Sequence, residues 1–154
     1  MKKTFILLFA VCLLFFTACD PASHFYDYEE LKSNVASVEL INYNNDDAVE
    51  LFENRDKVKP FVFSKMQVID ILPEEKTEDF LSDFSEIRFL LVWRHLDSPK
   101  GKSVKINYTN GSFDIICFEA QFSCQYDSVG NVKNFIGSGG GIPVEELVDR
   151  LFTR

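Results

Sequence analysis

The stretch SVKINYTNGSFDIICF, from Ser103 to Phe118, is the part of the chain whose reading decides the fold. Two runs rich in β-branched and aromatic residues flank Asn110-Gly111, the strongest short-range hairpin signal, because both residues tolerate the positive φ of a tight turn. A two-residue loop sets Tyr108 opposite Phe113, Ile106 opposite Ile115 and Val104 opposite Cys117. These six form one apolar face. Lys105, Asn107 and Asp114 fall on the other, where Ile116 and Phe118 make it mixed. Cys117 is thereby expected to point into the core.

Upstream of the hairpin, Val35 to Tyr43 alternates like a strand, with Ala36, Val38 and Leu40 on one side. Met66 to Leu72 reads as a second strand that Pro73 breaks. Thr77 to Ile87 reads as an amphipathic helix capped by Thr77, with Phe80, Leu81, Phe84 and Ile87 on one face. Arg88 to His95 carries an apolar run suited to a central strand. Downstream, Phe122 to Tyr126 and Val132 to Ile136 read as strands. Pro143 to Phe152 is a helix with Val144, Leu147, Val148 and Leu151 at one-face spacing. Runs of strands with interspersed helices predict an α+β fold, mainly an antiparallel sheet with an internal helix and a C-terminal helix packed on it.

The N-terminus is a different kind of sequence. Met1-Lys2-Lys3-Thr4 is positive, Phe5 to Phe16 is apolar and uncharged, and Thr17-Ala18-Cys19 ends the run. That is the three-part layout of an export signal, and the apolar run falls short of the roughly 20 residues that span a bilayer as a helix. Phe16-Thr17-Ala18-Cys19 resembles the lipobox of bacterial prolipoproteins, with Phe16 where Leu is usual. The resemblance implies cleavage after Ala18 and lipid attachment to Cys19, and two or three acyl chains suffice for stable anchoring. Asp20 after the Cys implies inner-membrane retention in a two-membrane host. The expected organisation is a signal over residues 1–18, a lipidated Cys with its tether over 19–34, and one domain over 35–154.

Charge excludes one class of partner. Loss of Lys2 and Lys3 from the 16 basic residues leaves 14 against 24 acidic ones, a net −10. So acidic a chain is a poor match for nucleic acid, which needs clustered Lys and Arg. The expected partners are the membrane, through the lipid on Cys19, and a protein or peptide of the cell envelope.

Residues with chemistry are few. With Cys12 lost and Cys19 lipidated, Cys117 and Cys124 are candidates for a disulfide or, alternatively, for two buried thiols. His24 and His95 are the two histidines; they supply no metal-ligand spacing, and no nucleophile motif accompanies them. No catalytic residue, metal or cofactor is assigned. Gly137 to Gly141 lacks the Lys-Ser/Thr of a phosphate loop, and Asn44 to Asp47 lacks EF-hand spacing. The aromatic load is heavy for so small a domain, and Phe118, Phe122 and Tyr126 form a candidate contact surface. The expected function is a non-enzymatic binding or accessory module at the envelope. A small hydrolase using His95, or an inhibitor or immunity-type protein, is the alternative.

Val35 to Tyr43, Phe61 to Met66, Asp79-Phe80-Leu81, Asp97-Ser98-Pro99 and Ile106 to Ile115 together resemble a group of small uncharacterised exported proteins of Clostridia-type bacteria. That resemblance implies a class and no activity.

Overall fold

Asn110-Gly111 does close a hairpin, but its loop is one residue longer than the sequence suggests. In the computed structural model, which describes residues 23–44, 60–90, 100–118, 123–137 and 141–152, the Tyr108 N–H donates to the Ser112 carbonyl and the Gly111 N–H to the Tyr108 carbonyl, each at 2.9 Å. Gly111 takes the left-handed conformation at φ 83°. The Asn110 side-chain oxygen accepts from both the N–H and the hydroxyl of Ser112, at 2.9 and 2.6 Å. Three residues thus turn the chain, the arrangement that ends in a bulge at glycine.

One extra loop residue moves every partner. Asn107 pairs with Phe113, Ile106 with Asp114, Lys105 with Ile115, Val104 with Ile116 and Ser103 with Cys117. Since side chains alternate along a strand, the slip carries Phe113, Ile115 and Cys117 to one face of the sheet, opposite Val104, Ile106 and Tyr108. Asp114 arrives on the face expected to be wholly apolar.

The elements in chain order are β1 (Ser23–His24), α1 (Tyr28–Asn34), β2 (Val35–Tyr43), a 3₁₀ turn (Phe63–Lys65), β3 (Met66–Ile71), α2 (Glu74–Ser85), β4 (Phe89–Leu90), β5 (Gly101–Tyr108), β6 (Phe113–Cys117), β7 (Ser123–Tyr126), β8 (Val132–Gly137) and α3 (Gly141–Phe152). Six strands make an antiparallel sheet in the order β3-β2-β5-β6-β7-β8, while β1 and β4 pair separately. The fold is α+β with an antiparallel sheet and helices packed on it.

Three helices cover one face. Leu31 of α1, Phe80 and Phe84 of α2, and Val144, Leu147 and Val148 of α3 pack on Val38, Leu40, Val104, Ile106 and Ile116. An Arg150–Asp83 ion pair joins α3 to α2. The opposite face carries a second cluster in which Phe61 packs on Tyr43, Phe113 and Tyr126, at centroid distances of 4.6, 5.1 and 5.5 Å. The Phe61 N–H donates to the Gly130 carbonyl at 2.7 Å. Gly130 sits at φ 90°, and a Cβ there would lie 2.5 Å from the Phe61 carbonyl oxygen, so glycine is required for this closure.

Four expectations change. Helix α2 begins at Glu74, not Thr77, because Pro73 takes the cap position, where its missing N–H costs nothing; the Thr77 hydroxyl donates back to the Pro73 carbonyl at 3.2 Å. Helix α3 begins at Gly141, two residues before Pro143. Of the expected central strand 88–95, the described part is Phe89–Leu90, which pairs with β1 rather than the large sheet; His95 lies outside the described residues. Finally, the segment expected as a tether is built into the fold from Ser23 onward. Asp27 caps α1 by accepting from the Glu30 N–H at 2.8 Å, and Leu31 is buried in the core.

Candidate functional site

The shifted register brings a carboxylate to the helix-covered face. Asp114 is fully buried. Its Oδ2 accepts from the hydroxyls of Tyr26 and Tyr108, each at 2.6 Å. Tyr108 reaches it from β5 across the hairpin. Tyr26 comes from the link between β1 and α1, where its ring packs against Phe84 at 4.8 Å and Phe89 at 5.6 Å. The other oxygen, Oδ1, has no hydrogen-bond partner among the described residues. Gln125, directly across on β7, is near enough for its side chain to pull the carboxyl's pKa down by hydrogen bonding.

Asp114 lines a cavity of about 530 Å³, within the size range of small-molecule sites. Its walls come from β1, α1 and the link between them (His24, Glu30, Tyr26), the hairpin (Tyr108) and the last two strands (Gln125, Lys133). Burial pushes the Asp114 carboxyl above its ordinary range, while hydrogen bonds from Tyr108, Tyr26 and Gln125 and the Lys133 charge pull the other way. Burial, reinforced by the Asp114 charge, pushes both tyrosines far above the ordinary phenol value, so they remain donors. Burial lowers His24, partly opposed by Glu30, which leaves its imidazole neutral at pH 7. Asp27, Glu30 and Asp114 thus face one cation, Lys133, around the cavity. The arrangement can accept a hydrogen bond from a ligand and favours a positive one.

The residues singled out from sequence fare differently. Cys19, His95 and Phe122 lie outside the described residues. Cys117 and Cys124 are separate free thiols, both fully buried. Cys124 stands opposite Ile115, so Cys117 lies diagonally from it and not across from it. The Cys124 S–H donates to the Asn134 carbonyl at 3.1 Å, and burial pushes its pKa up to about 12.

Phe118 and Tyr126 correct the expected contact surface: they are 4% and 0% exposed and belong to the clusters on opposite faces of the sheet. Tyr126 pairs with Phe113, five residues from Phe118, and an odd spacing puts the two on opposite faces. Among the described residues no group of His, Cys, Asp and Glu is placed to hold a metal ion, and no helix is long and apolar enough to cross a membrane.

Sequence reading missed Asp114, Tyr26 and Tyr108 as a unit. The available signal was Asp114 itself, an acid inside an otherwise apolar strand. No family model, curated protein or solved structure matches this chain.

Proposed function

We propose that the chain is an exported binding module, held at the membrane by lipid on Cys19, whose working site is the cavity floored by Asp114. The observation that carries the reading is a cavity of ligand size whose lining gathers His24, Glu30, Gln125 and Lys133 around the buried Asp114 carboxyl and its two tyrosines. Ionisable groups with shifted pKa values gathered in a concave site are a mark of function. The lipobox-like Phe16-Thr17-Ala18-Cys19 supports the location. With β1 starting at Ser23, the folded part stands close behind Cys19, so the cavity works near the bilayer surface.

Calorimetric titration of the full-length protein in uncharged detergent tests the reading. The panel spans small amines, guanidines, carboxylates, phosphates and neutral sugars. At least one class binds saturably, and Asn134→Trp, an exposed substitution at the cavity wall, weakens it at least tenfold. Binding by no class, or binding indifferent to Asn134→Trp, contradicts the site. Anchoring is checked separately: Cys19→Ala abolishes incorporation of labelled acyl chains, and continued labelling contradicts it.

A further inference from the structure

We infer that the outer edge of β3 is an interface for a second copy of this chain, the two β3 strands pairing antiparallel about a two-fold axis.

The six-stranded sheet ends in β3 on one side and β8 on the other, and among the described residues no strand pairs with the outer side of either. The two edges are built differently. Strand β8 is broken by two register shifts against β7 and carries the exposed Lys133. Irregularity and lysine are the usual devices that keep an edge from pairing with another chain. Strand β3 has one shift, at Ile69, and its six residues Met66 to Ile71 contain neither lysine nor proline. It exposes Val68, Ile69 and Ile71 by 42, 52 and 56%. Val62 and Phe63, just upstream, are also exposed, so five of the nine large apolar side chains exposed among the described residues fall within Val62 to Ile71. Val68 and Ile71 stand opposite Ile41 and Glu39, and the Phe63 ring lies 5.3 Å from Phe61. The apolar surface therefore runs from the edge onto the face that Phe61 packs. So large a patch marks an interaction site, and a strand edge asks for an extended partner.

Charge selects a second copy as that partner. The chain carries 24 acidic against 16 basic residues, so copies repel one another over most of their surface. The stretch Val62 to Ile71 holds one cation, Lys65, and one anion, Asp70, and is neutral. A two-fold interface presents the same patch from both sides. Antiparallel pairing lays the Lys65 end of each β3 beside the Asp70 end of the other, so the two charges complement themselves. The Ile71 N–H now donates to the Asp70 side chain at 2.9 Å. A partner strand can take over that N–H with a backbone carbonyl and leave Asp70 to the other copy's lysine. Gln125 and Lys133 reach the cavity from β7 and β8, at the far side of the sheet, so pairing through β3 keeps both cavities open.

Sedimentation equilibrium of the full-length protein in density-matched uncharged detergent tests the inference. The protein follows a monomer–dimer equilibrium. Ile69→Lys and Ile71→Lys, both at exposed positions, set like charges across the axis and weaken the dimer at least tenfold. Val132→Lys, on the β8 edge, leaves it unchanged. Thermal unfolding shows which variants are folded, and either β3 variant carries the test if the other is not. Val68→Cys gives a disulfide-linked dimer under mild oxidation, above the level of the unsubstituted protein, and Val132→Cys does not. A monomer at every concentration, a dimer indifferent to both β3 variants, or equal weakening by Val132→Lys overturns the interface. Assembly beyond the dimer overturns the closed two-fold pair.

Discussion

The two faces of the sheet treat charge in opposite ways. On the face packed by Phe61, Lys105 is 8% exposed, yet its ammonium lies 3.2 Å from the Glu39 carboxylate and over the Phe113 ring at 5.1 Å. That charge is matched. On the helix-covered face, Asp114 is more deeply buried, receives two tyrosine hydroxyls on one oxygen, and has its pKa raised by burial rather than held down by a close cation. The same hairpin supplies both residues. A fold able to pair Lys105 has left Asp114 short, and the place where it is short is a cavity. Violations of otherwise consistent local rules concentrate at functional sites.

The packing differs as well. Three helices close one face, whereas among the described residues the other is closed by Phe61 and the 3₁₀ turn after it. Phe84→Ala removes a fully buried ring stacked on Phe80 and touching Tyr26; it lowers stability by about 3–5 kcal/mol in denaturant unfolding. Phe61→Ala lowers it by roughly 2–3 kcal/mol, because an extended segment can settle into the space more readily than a helix can. A loss at Phe61 that matches or exceeds the loss at Phe84 would break the distinction.

Asp114→Asn moves stability the other way. The groups facing this carboxyl are Tyr26, Tyr108, Gln125 and Lys133, with Glu30 and His24 further along the cavity wall. Its pKa is raised in the folded state, so its contribution is fully present below the ordinary carboxylate range and is lost as pH rises through the raised value. At pH 7 the variant is therefore more stable than the parent, on the order of 1 kcal/mol. The gap closes as pH falls toward 4. Thermal unfolding across that range checks it, and a gap that widens on acidification would contradict a strained carboxylate.

The smallest effect belongs to the thiols. Cys117 and Cys124 are fully buried, and burial raises both pKa values. A thiol reagent at pH 8 leaves both unlabelled in the folded protein and labels both in denaturant. Fast labelling of either in the folded state would show the Phe61 face to be open.

Much of the architecture is legible in the sequence, and the site is not. Phe80, Leu81, Phe84 and Ile87 are buried on one side of α2 and beyond its end, and Val144, Leu147 and Val148 are buried on α3, as periodicity predicts. Asn110-Gly111 announces a hairpin. It does not announce whether two or three residues turn it, since either loop ends on a glycine that accepts positive φ. The alternation argument that would choose assumes one wet face. Every residue of β6 is buried, so Phe113 to Cys117 gives it nothing to choose by. Tyr26 was out of reach for another reason: it lies 88 residues from Asp114, in a stretch whose composition suggests a tether. Packing, not spacing, joins the two.

The register of that hairpin is the claim on which the site depends, because one residue of slip returns Asp114 to the opposite face. Cross-strand backbone NOEs on isotope-labelled protein measure it directly. The account predicts contacts of Asn107 with Phe113 and of Lys105 with Ile115. Contacts of Tyr108 with Phe113 and of Ile106 with Ile115 would contradict it, and would take Asp114 away from Tyr26, Tyr108 and the cavity.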